Sequence, residues 1–299
     1  MLIDTHAHVN FNAYKKDAKE VIYRSLNSDV WMINIGTNYE TSKKAVEIAQ
    51  NYEKGVYAAV GLHPIHLETG LVKIKNDKEE IEVNTREEEF DYQKYKNLAK
   101  NPKVVAIGEF GLDYYWRPKT TKKKELLKQK QKDLLLKQLE VAKELNLPVI
   151  FHCRVAHDDL YEVLNSKLKS RALQNGARRS LRLRLSDLQN SKLRGVMHGF
   201  VGTAEQLLEY LKMGLYIGFN GIIFKNIEGI NFEENIKNTP LDKILIETDC
   251  PYLTPPQIEG RNAPVFVKYV AEKIAKIRNL SFGEISEITT INAKKLFGI

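Results

Sequence analysis

Residues 1–10 read Met1-Leu2-Ile3-Asp4-Thr5-His6-Ala7-His8-Val9-Asn10, and the rest of the chain is organised around this stretch. Side chains along a strand alternate faces with a period of two, so a Leu2-Ile3 start followed by His6 and His8 aims both imidazoles the same way as the strand ends. Two adjacent imidazoles suit a divalent cation, since histidine is the commonest ligand for zinc and its neighbours. An isolated His-x-His pair is also common as incidental surface. Two ligands do not close a site, so a metal reading needs more histidines or carboxylates downstream.

Working outward, seven further short apolar runs follow: Val30 to Ile35, Val56 to Val60, Val104 to Ile107, Leu147 to Phe151, Gly195 to Met197, Gly214 to Gly218 and Ile244 to Ile246. Helix-compatible stretches separate most of them, the clearest running from Thr121 to Leu145, where Leu127, Leu134, Leu135, Leu139, Ala142 and Leu145 share one face. Strand–helix alternation with short apolar strands points to a parallel sheet, either closed into a (β/α)8 TIM barrel or open and doubly wound. Polar residues decide between the two. His6, His8, His63, Glu109, His152, His198 and Asp249 all fall at or just beyond a strand's carboxyl end, and only a barrel brings those ends to one mouth. Five of the chain's seven histidines occupy such places. The prediction is a single α/β barrel domain spanning 1–299. Asp113, in the Gly108-Glu109-Phe110-Gly111-Leu112-Asp113 turn, either orients a neighbour or caps the turn.

Two charged segments interrupt the pattern as surface insertions. Residues 68–100 mix glutamates with lysines and predict a solvated insertion plus an exposed helix. Residues 165–194 carry Lys167, Lys169, Arg171, Arg178, Arg179, Arg182, Arg184, Lys192 and Arg194 against the single acid Asp187. That segment reads either as a phosphate-tracking arm or as a basic loop without function.

Composition excludes more than it selects. With 43% hydrophobic and 28% charged residues the chain has an ordinary globular balance, and no apolar run approaches the ~20 residues of a membrane span. A basic segment followed by an apolar secretory core is missing from the start, so a cytoplasmic or nuclear protein is expected. Cys153 and Cys250 are too few for a disulfide scaffold and read as small buried residues. A net charge of +8 leans toward a polyanionic partner but suits any soluble basic enzyme. No obligate protein partner is indicated.

The ordered set Leu2-Ile3-Asp4-Thr5-His6-Ala7-His8-Val9-Asn10, Gly61-Leu62-His63-Pro64, Gly108-Glu109-Phe110-Gly111-Leu112-Asp113-Tyr114-Tyr115 and Glu247-Thr248-Asp249-Cys250-Pro251-Tyr252-Leu253 resembles the TatD family of metal-dependent deoxyribonucleases. The resemblance implies an amidohydrolase-like TIM barrel, two divalent metal ions at its mouth, and hydrolysis of DNA phosphodiesters, trimmed from the 3′ end. It implies that His6 and His8 hold one metal, that Glu109 bridges, that His152 and His198 hold the second, and that Asp249 completes the first site and takes the proton from the attacking water. His63, Asp113, Arg154 and Glu247 are implied to contact substrate or support the ligands. Three places depart from the family pattern: Val155 follows Arg154 where an acid is frequent, Gly199 stands where Cys or Ser is usual, and Ala263 follows Arg261-Asn262 where Glu is common.

The chemistry agrees with these residue types. Two cations neutralise phosphodiester oxygens, lower the pKa of water from about 15.7 toward ~7 and stabilise the leaving alkoxide. Four imidazoles favour zinc, whereas carboxylates also accept magnesium or manganese, so the ligand set does not select the metal. The same barrel mouth serves small-molecule ester, lactone or amide hydrolysis, and a nucleic-acid-binding protein that lost its chemistry is a third possibility. The intact ligand set argues against the last.

Overall fold

The computed structural model describes residues 1–75, 80–115, 118–174 and 193–299. Eight strands form one sheet in the order β1-β2-β3-β6-β7-β8-β9-β10, every described neighbouring pair parallel. They are β1 (Leu2–Ala7), β2 (Val30–Ile35), β3 (Val56–Val60), β6 (Val104–Asp113), β7 (Val149–Arg154), β8 (Gly195–Met197), β9 (Tyr216–Phe219) and β10 (Ile244–Ile246). The last strand returns to the first: the Asp249 amide donates to the His6 carbonyl at 2.8 Å, the His8 amide to the Cys250 carbonyl at 2.9 Å, and Ala7 bridges Cys250 in parallel. The sheet is thereby a nearly closed (β/α)8 barrel of the kind expected.

Three expectations about the elements need correction. The run Val104 to Ile107 does not stop before the glycine turn; the strand continues to Asp113, because a register shift after Ile107 lets Phe110, Gly111, Leu112 and Asp113 pair with Phe151, His152, Cys153 and Arg154. Gly108 and Gly111 permit this close approach, since a Cβ on Gly111 would lie 1.9 Å from the His152 carbonyl oxygen. In the first charged insertion, β4 (Gly70–Lys75) and β5 (Glu80–Thr85) form an antiparallel hairpin, and the helix Tyr92–Ala99 is not wholly exposed, burying Tyr95 and Ala99. Hairpin pairing satisfies the main chain regardless of side-chain charge, so composition conceals it. The second insertion does not begin as a loop at 165: the helix His157–Gln174 runs into it, residues 175–192 of the basic stretch lie outside the described residues, and Arg194 donates to the Asn146 carbonyl at 2.7 Å.

The barrel interior is filled by Ile3, Ile33, Ile35, Ala59, Val105, Ile150, Val196 and Leu245, onto which the C-terminal helix Phe282–Phe297 packs Ala293, Leu296 and Phe297. That helix sits at the strands' amino ends. Its Thr290 hydroxyl donates to the Met1 carbonyl and Asn292 to the Leu241 and Ile244 carbonyls. The opposite end is left as the mouth. The larger outer core runs between the sheet and the helices and includes Leu135, Leu139, Leu160, Leu207 and Val270. Cys153 and Cys250 are buried and free, as expected. Among the described residues no helix is long and apolar enough to cross a membrane.

Asp4 holds the seam between first and last strands. It is fully buried, and its carboxylate accepts from the Thr248 amide at 2.9 Å, the Thr248 hydroxyl at 2.5 Å and the His6 amide at 3.2 Å. Burial pushes its carboxyl up to about 8, against the pull of those hydrogen bonds. Replacing it by alanine leaves buried donors unpaired at a cost of about 1–3 kcal/mol each. Asp4→Ala is expected to lower the urea midpoint by the equivalent of roughly 2–4 kcal/mol, while Tyr23→Ala, at a side chain 66% exposed, stays within about 0.5 kcal/mol of the parent. Equal midpoints for the two variants would contradict the seam's role.

Candidate metal centre at the barrel mouth

Ile3 faces the barrel interior, and a register shift in β1 between Asp4 and Ala7 breaks strict alternation beyond it; His6 and, just past the strand, His8 are both buried, with ring centroids 4.9 Å apart. Opposite them stand Glu109, inside β6, and Asp249, after β10. His6 Nε2 lies 3.6 Å from Glu109 Oε1 and 3.9 Å from Asp249 Oδ1; His8 Nε2 lies 3.7 Å and 3.3 Å from the same two atoms. His8 Nδ1 is 3.0 Å from the Ile35 carbonyl. A carbonyl only accepts, so Nδ1 carries the proton and Nε2 is left to face the carboxylates. Asp249 holds a left-handed backbone, φ 56°, a conformation that costs free energy and recurs at functional positions.

His152 on β7 presents Nδ1 to Glu109 Oε2 at 3.6 Å and Nε2 to Asp113 Oδ2 at 3.1 Å. His198 stacks on His6 at 3.4 Å between centroids, gives Nδ1 to Glu247 Oε2 at 2.8 Å, and places Nε2 3.9 Å from Asp249. His63, beyond β3, contacts the His152 ring at 4.1 Å. All six expected ligands therefore converge. Their grouping is particular: atoms of His6, His8 and Glu109 lie within 4.8 Å of one another, as do those of His6, His198 and Glu247, and those of His63, Asp113 and His152. His198 thus neighbours His6, while His152 neighbours His63 and Asp113.

The electrostatics are those of a buried anionic basin. Burial would raise the Glu109 carboxyl, but His6, His63 and His152 hold it well below the ordinary range. Burial likewise opposes Asp249, yet its close imidazole neighbours His8, His198 and His6 keep it low. For His198 burial favours the neutral ring, and Glu247 and Asp249 override it, holding its pKa at about 10; Asp113 and Glu109 do the same to His152, at about 9. His63, pressed by burial and by His152, falls to about 3. The carboxylates draw positive charge inward.

These residues fit divalent cations. Both ring nitrogens of fully buried His6, and Glu247 Oε1, have no hydrogen-bond partner. Buried polar atoms are rarely left so, and each such orphan calls for an explanation. Imidazole-to-carboxylate spacings of 3.3–3.9 Å are too long for good hydrogen bonds. Two ligand atoms each about 2.0–2.2 Å from one tetrahedral ion would stand roughly 3.3–3.6 Å apart.

The mouth opens into a cleft of about 960 Å³ that Arg154, Tyr115, Lys128 and Tyr252 help to line. The Arg154 guanidinium lies 3.7 Å from the Tyr115 ring centroid. Of the departures from the family pattern, Val155 is exposed on the cleft wall with φ 55°, and Gly199, at φ 48°, donates its amide to Glu247 Oε2 at 2.9 Å. A Cβ on Gly199 would come within 2.7 Å of the Asn220 amide nitrogen. The Ala263 amide donates to the Asn262 side chain at 2.9 Å.

Several supporting residues escape a reading by motif. Asn262 is buried, and its side-chain nitrogen reaches the Thr248 and Tyr252 carbonyls at 3.1 and 2.7 Å, tying down the loop that carries Asp249. Asp4 and Thr248 form the seam beneath. Two glutamines of the Thr121–Leu145 helix, Gln131 and Gln138, bond main-chain groups beside Asp113 and His63. Polar residues seven apart on an otherwise apolar stripe were the one available signal.

An eight-stranded parallel barrel with histidines and carboxylates gathered at its carboxyl-end mouth is the scaffold of a metal-dependent hydrolase. The family model described as TatD related DNase matches residues 3–298, and the chain belongs to that family. Over its whole length it is 38% identical to the uncharacterized metal-dependent hydrolase YabD of Bacillus subtilis, all of which is covered. It is 31% identical to the 3′-5′ ssDNA/RNA exonuclease TatD of Citrobacter rodentium, covering 98% of that protein. Among solved structures it superposes on the TatD homologue YjjV of Escherichia coli K12 with a TM-score of 0.76 at 27% identity, over 100% of this chain and 98% of that one.

A ligand that binds only the folded state raises its stability in proportion to the logarithm of concentration. Zinc or manganese at 100 times its dissociation constant should therefore stabilise the protein by about 2.7 kcal/mol, seen as a higher melting temperature that a chelator reverses. In His6→Ala the shift should disappear. An identical cation response in parent and variant would remove His6 from the centre.

Proposed function

We propose that the chain is a divalent-metal-dependent deoxyribonuclease that trims DNA from the 3′ end, using magnesium, manganese or zinc. The observation that carries the reading is the buried His6, unpartnered on both ring nitrogens and facing Glu109 and Asp249. The exonuclease named among its relatives supports the substrate class. In this reading His6, His8 and Asp249 would hold one cation and His152 and His198 the other, with Glu109 available to both. When bound, the cations supply neutralisation of phosphate oxygens and acidification of water.

The chain's own residues do the rest. Asp249 is the more open of the two central carboxylates, its side chain 19% accessible against 7% for Glu109. Held ionised by its histidine neighbours, it takes the proton from the attacking water. Asp113 orients His152 through Nε2, and Glu247 orients His198 through Nδ1. Arg154 stands on the cleft wall with a planar fork of donors matched to a phosphate.

The test is hydrolysis of end-labelled single- and double-stranded DNA by metal-stripped protein with each metal restored. Asp249→Asn should lower the rate by about 10²–10⁴-fold, the usual contribution of a positioned base, and His152→Ala should abolish metal-dependent cleavage. A one-nucleotide ladder shortening from the 3′ end supports trimming; internal fragments would replace it with endonucleolytic cutting. Should the protein bind metal yet cleave no DNA, the apolar cleft residues Ile65, Ile222, Ile227 and Leu253 favour a small ester, lactone or amide instead. Arg154→Met should raise KM several-fold and reduce its dependence on salt, because one phosphate contact is lost; an unchanged salt slope would take Arg154 away from the phosphate.

A further inference from the structure

Gln131 and Gln138 are 2% and 0% exposed on the long helix Thr121–Leu145. Burying a glutamine costs up to about 2 kcal/mol of rotamer entropy and a further 1–3 or so for desolvating its amide. Both are nonetheless placed in the stripe that also holds Leu127, Leu134 and Leu135. Each one meets a single residue's main chain with both halves of its amide. Gln131 Oε1 accepts from the Asp113 amide at 2.8 Å while Nε2 donates to the Asp113 carbonyl at 2.9 Å. Gln138 treats Leu62 identically, at 2.8 and 2.9 Å.

The reason lies in the sheet. Pairing between β3 and β6 ends at Val60 and Ile107. Beyond that point the two segments run on toward the mouth, and the main-chain groups of Leu62 and Asp113 need partners that pairing between these strands no longer supplies. On the β7 side it is the next residue that is paired, the Tyr114 amide donating to the Arg154 carbonyl; the amide and carbonyl of Asp113 itself go to Gln131. The two side chains act as a short surrogate strand, projected from one rigid helix.

What they hold is one half of the metal centre. Leu62 precedes His63, and Asp113 carries the carboxylate that receives His152 Nε2 at 3.1 Å. The His63 and His152 rings touch. The other half, around His6 and Asp249, is fixed separately by the Asp4–Thr248 seam and by Asn262.

We infer that Gln131 and Gln138 are positioning residues that set the register of Asp113 and His63, and through them the orientation of His152, making that half of the centre depend on the helix. The inference rests on the metal-centre reading above. Groups that orient metal ligands typically contribute 10–100-fold to metal affinity.

The test uses two single variants, Gln131→Met and Gln138→Met, which keep side-chain volume and remove the amide, with the exposed Gln129→Met as control. Each is confirmed folded by circular dichroism at a temperature well below its melting midpoint, and zinc affinity is then measured by chelator competition. The expected result is a 10–100-fold weaker hold on at least one zinc equivalent in Gln131→Met and Gln138→Met, with Gln129→Met like the parent. Because each variant removes one clamp and leaves the other, failure of one to fold leaves the second to decide. Parental zinc affinity in the folded variants, with only the melting midpoint lowered, would overturn this inference alone and leave the metal centre standing. A parent protein that binds no zinc, manganese or magnesium would overturn the metal reading and this inference with it.

Discussion

Closure of the barrel between its first and last strands is the constraint on which the rest depends. Asp4 and Thr248 are 244 residues apart in the chain, and their contact brings His6 and His8 to Asp249. An open sheet would leave these groups on opposite edges. The seam is polar where the surrounding layers are apolar, and that is part of its action: a buried carboxyl that accepts from both the amide and the hydroxyl of Thr248 favours one register, since a slip would orphan both donors. Fold and site are specified at the same place.

Above the seam, burial and charge oppose each other. Desolvation alone would drive Glu109 and Asp249 neutral and leave His152 and His198 unprotonated. Close packing of opposite charges reverses every one of those tendencies. A cluster of this kind is costly without positive charge at its centre, and the unpartnered nitrogens of His6 show where such charge belongs. This is a site shaped for cations before any substrate is considered.

Around it the supporting shell is divided. Asp4, Thr248 and Asn262 secure the strand ends near Asp249, Glu247 secures His198, and the helix glutamines secure the segment of Asp113 and His63. Each support acts through main-chain groups or ring nitrogens whose alternative is an unsatisfied buried atom. The tolerance for movement is correspondingly small.

Much of this was legible in the chain itself. Short apolar runs alternating with helical stretches, and polar residues repeated at strand ends, are local patterns, and they determined the barrel, its mouth and the convergence of His6, His8, His63, Glu109, His152, His198 and Asp249. The continuation of β6 to Asp113 was hidden because glycines there read as a turn, whereas pairing with β7 keeps them extended. The pairing of Gly70–Lys75 with Glu80–Thr85 was hidden behind their charges. Which histidine neighbours which, the tautomer of His8, and the tasks of Asp4, Gln131, Gln138 and Asn262 were decided by tertiary structure alone. Those residues bond to main-chain and side-chain atoms tens to hundreds of positions away, and a contact of that range leaves no periodicity in the sequence to be read.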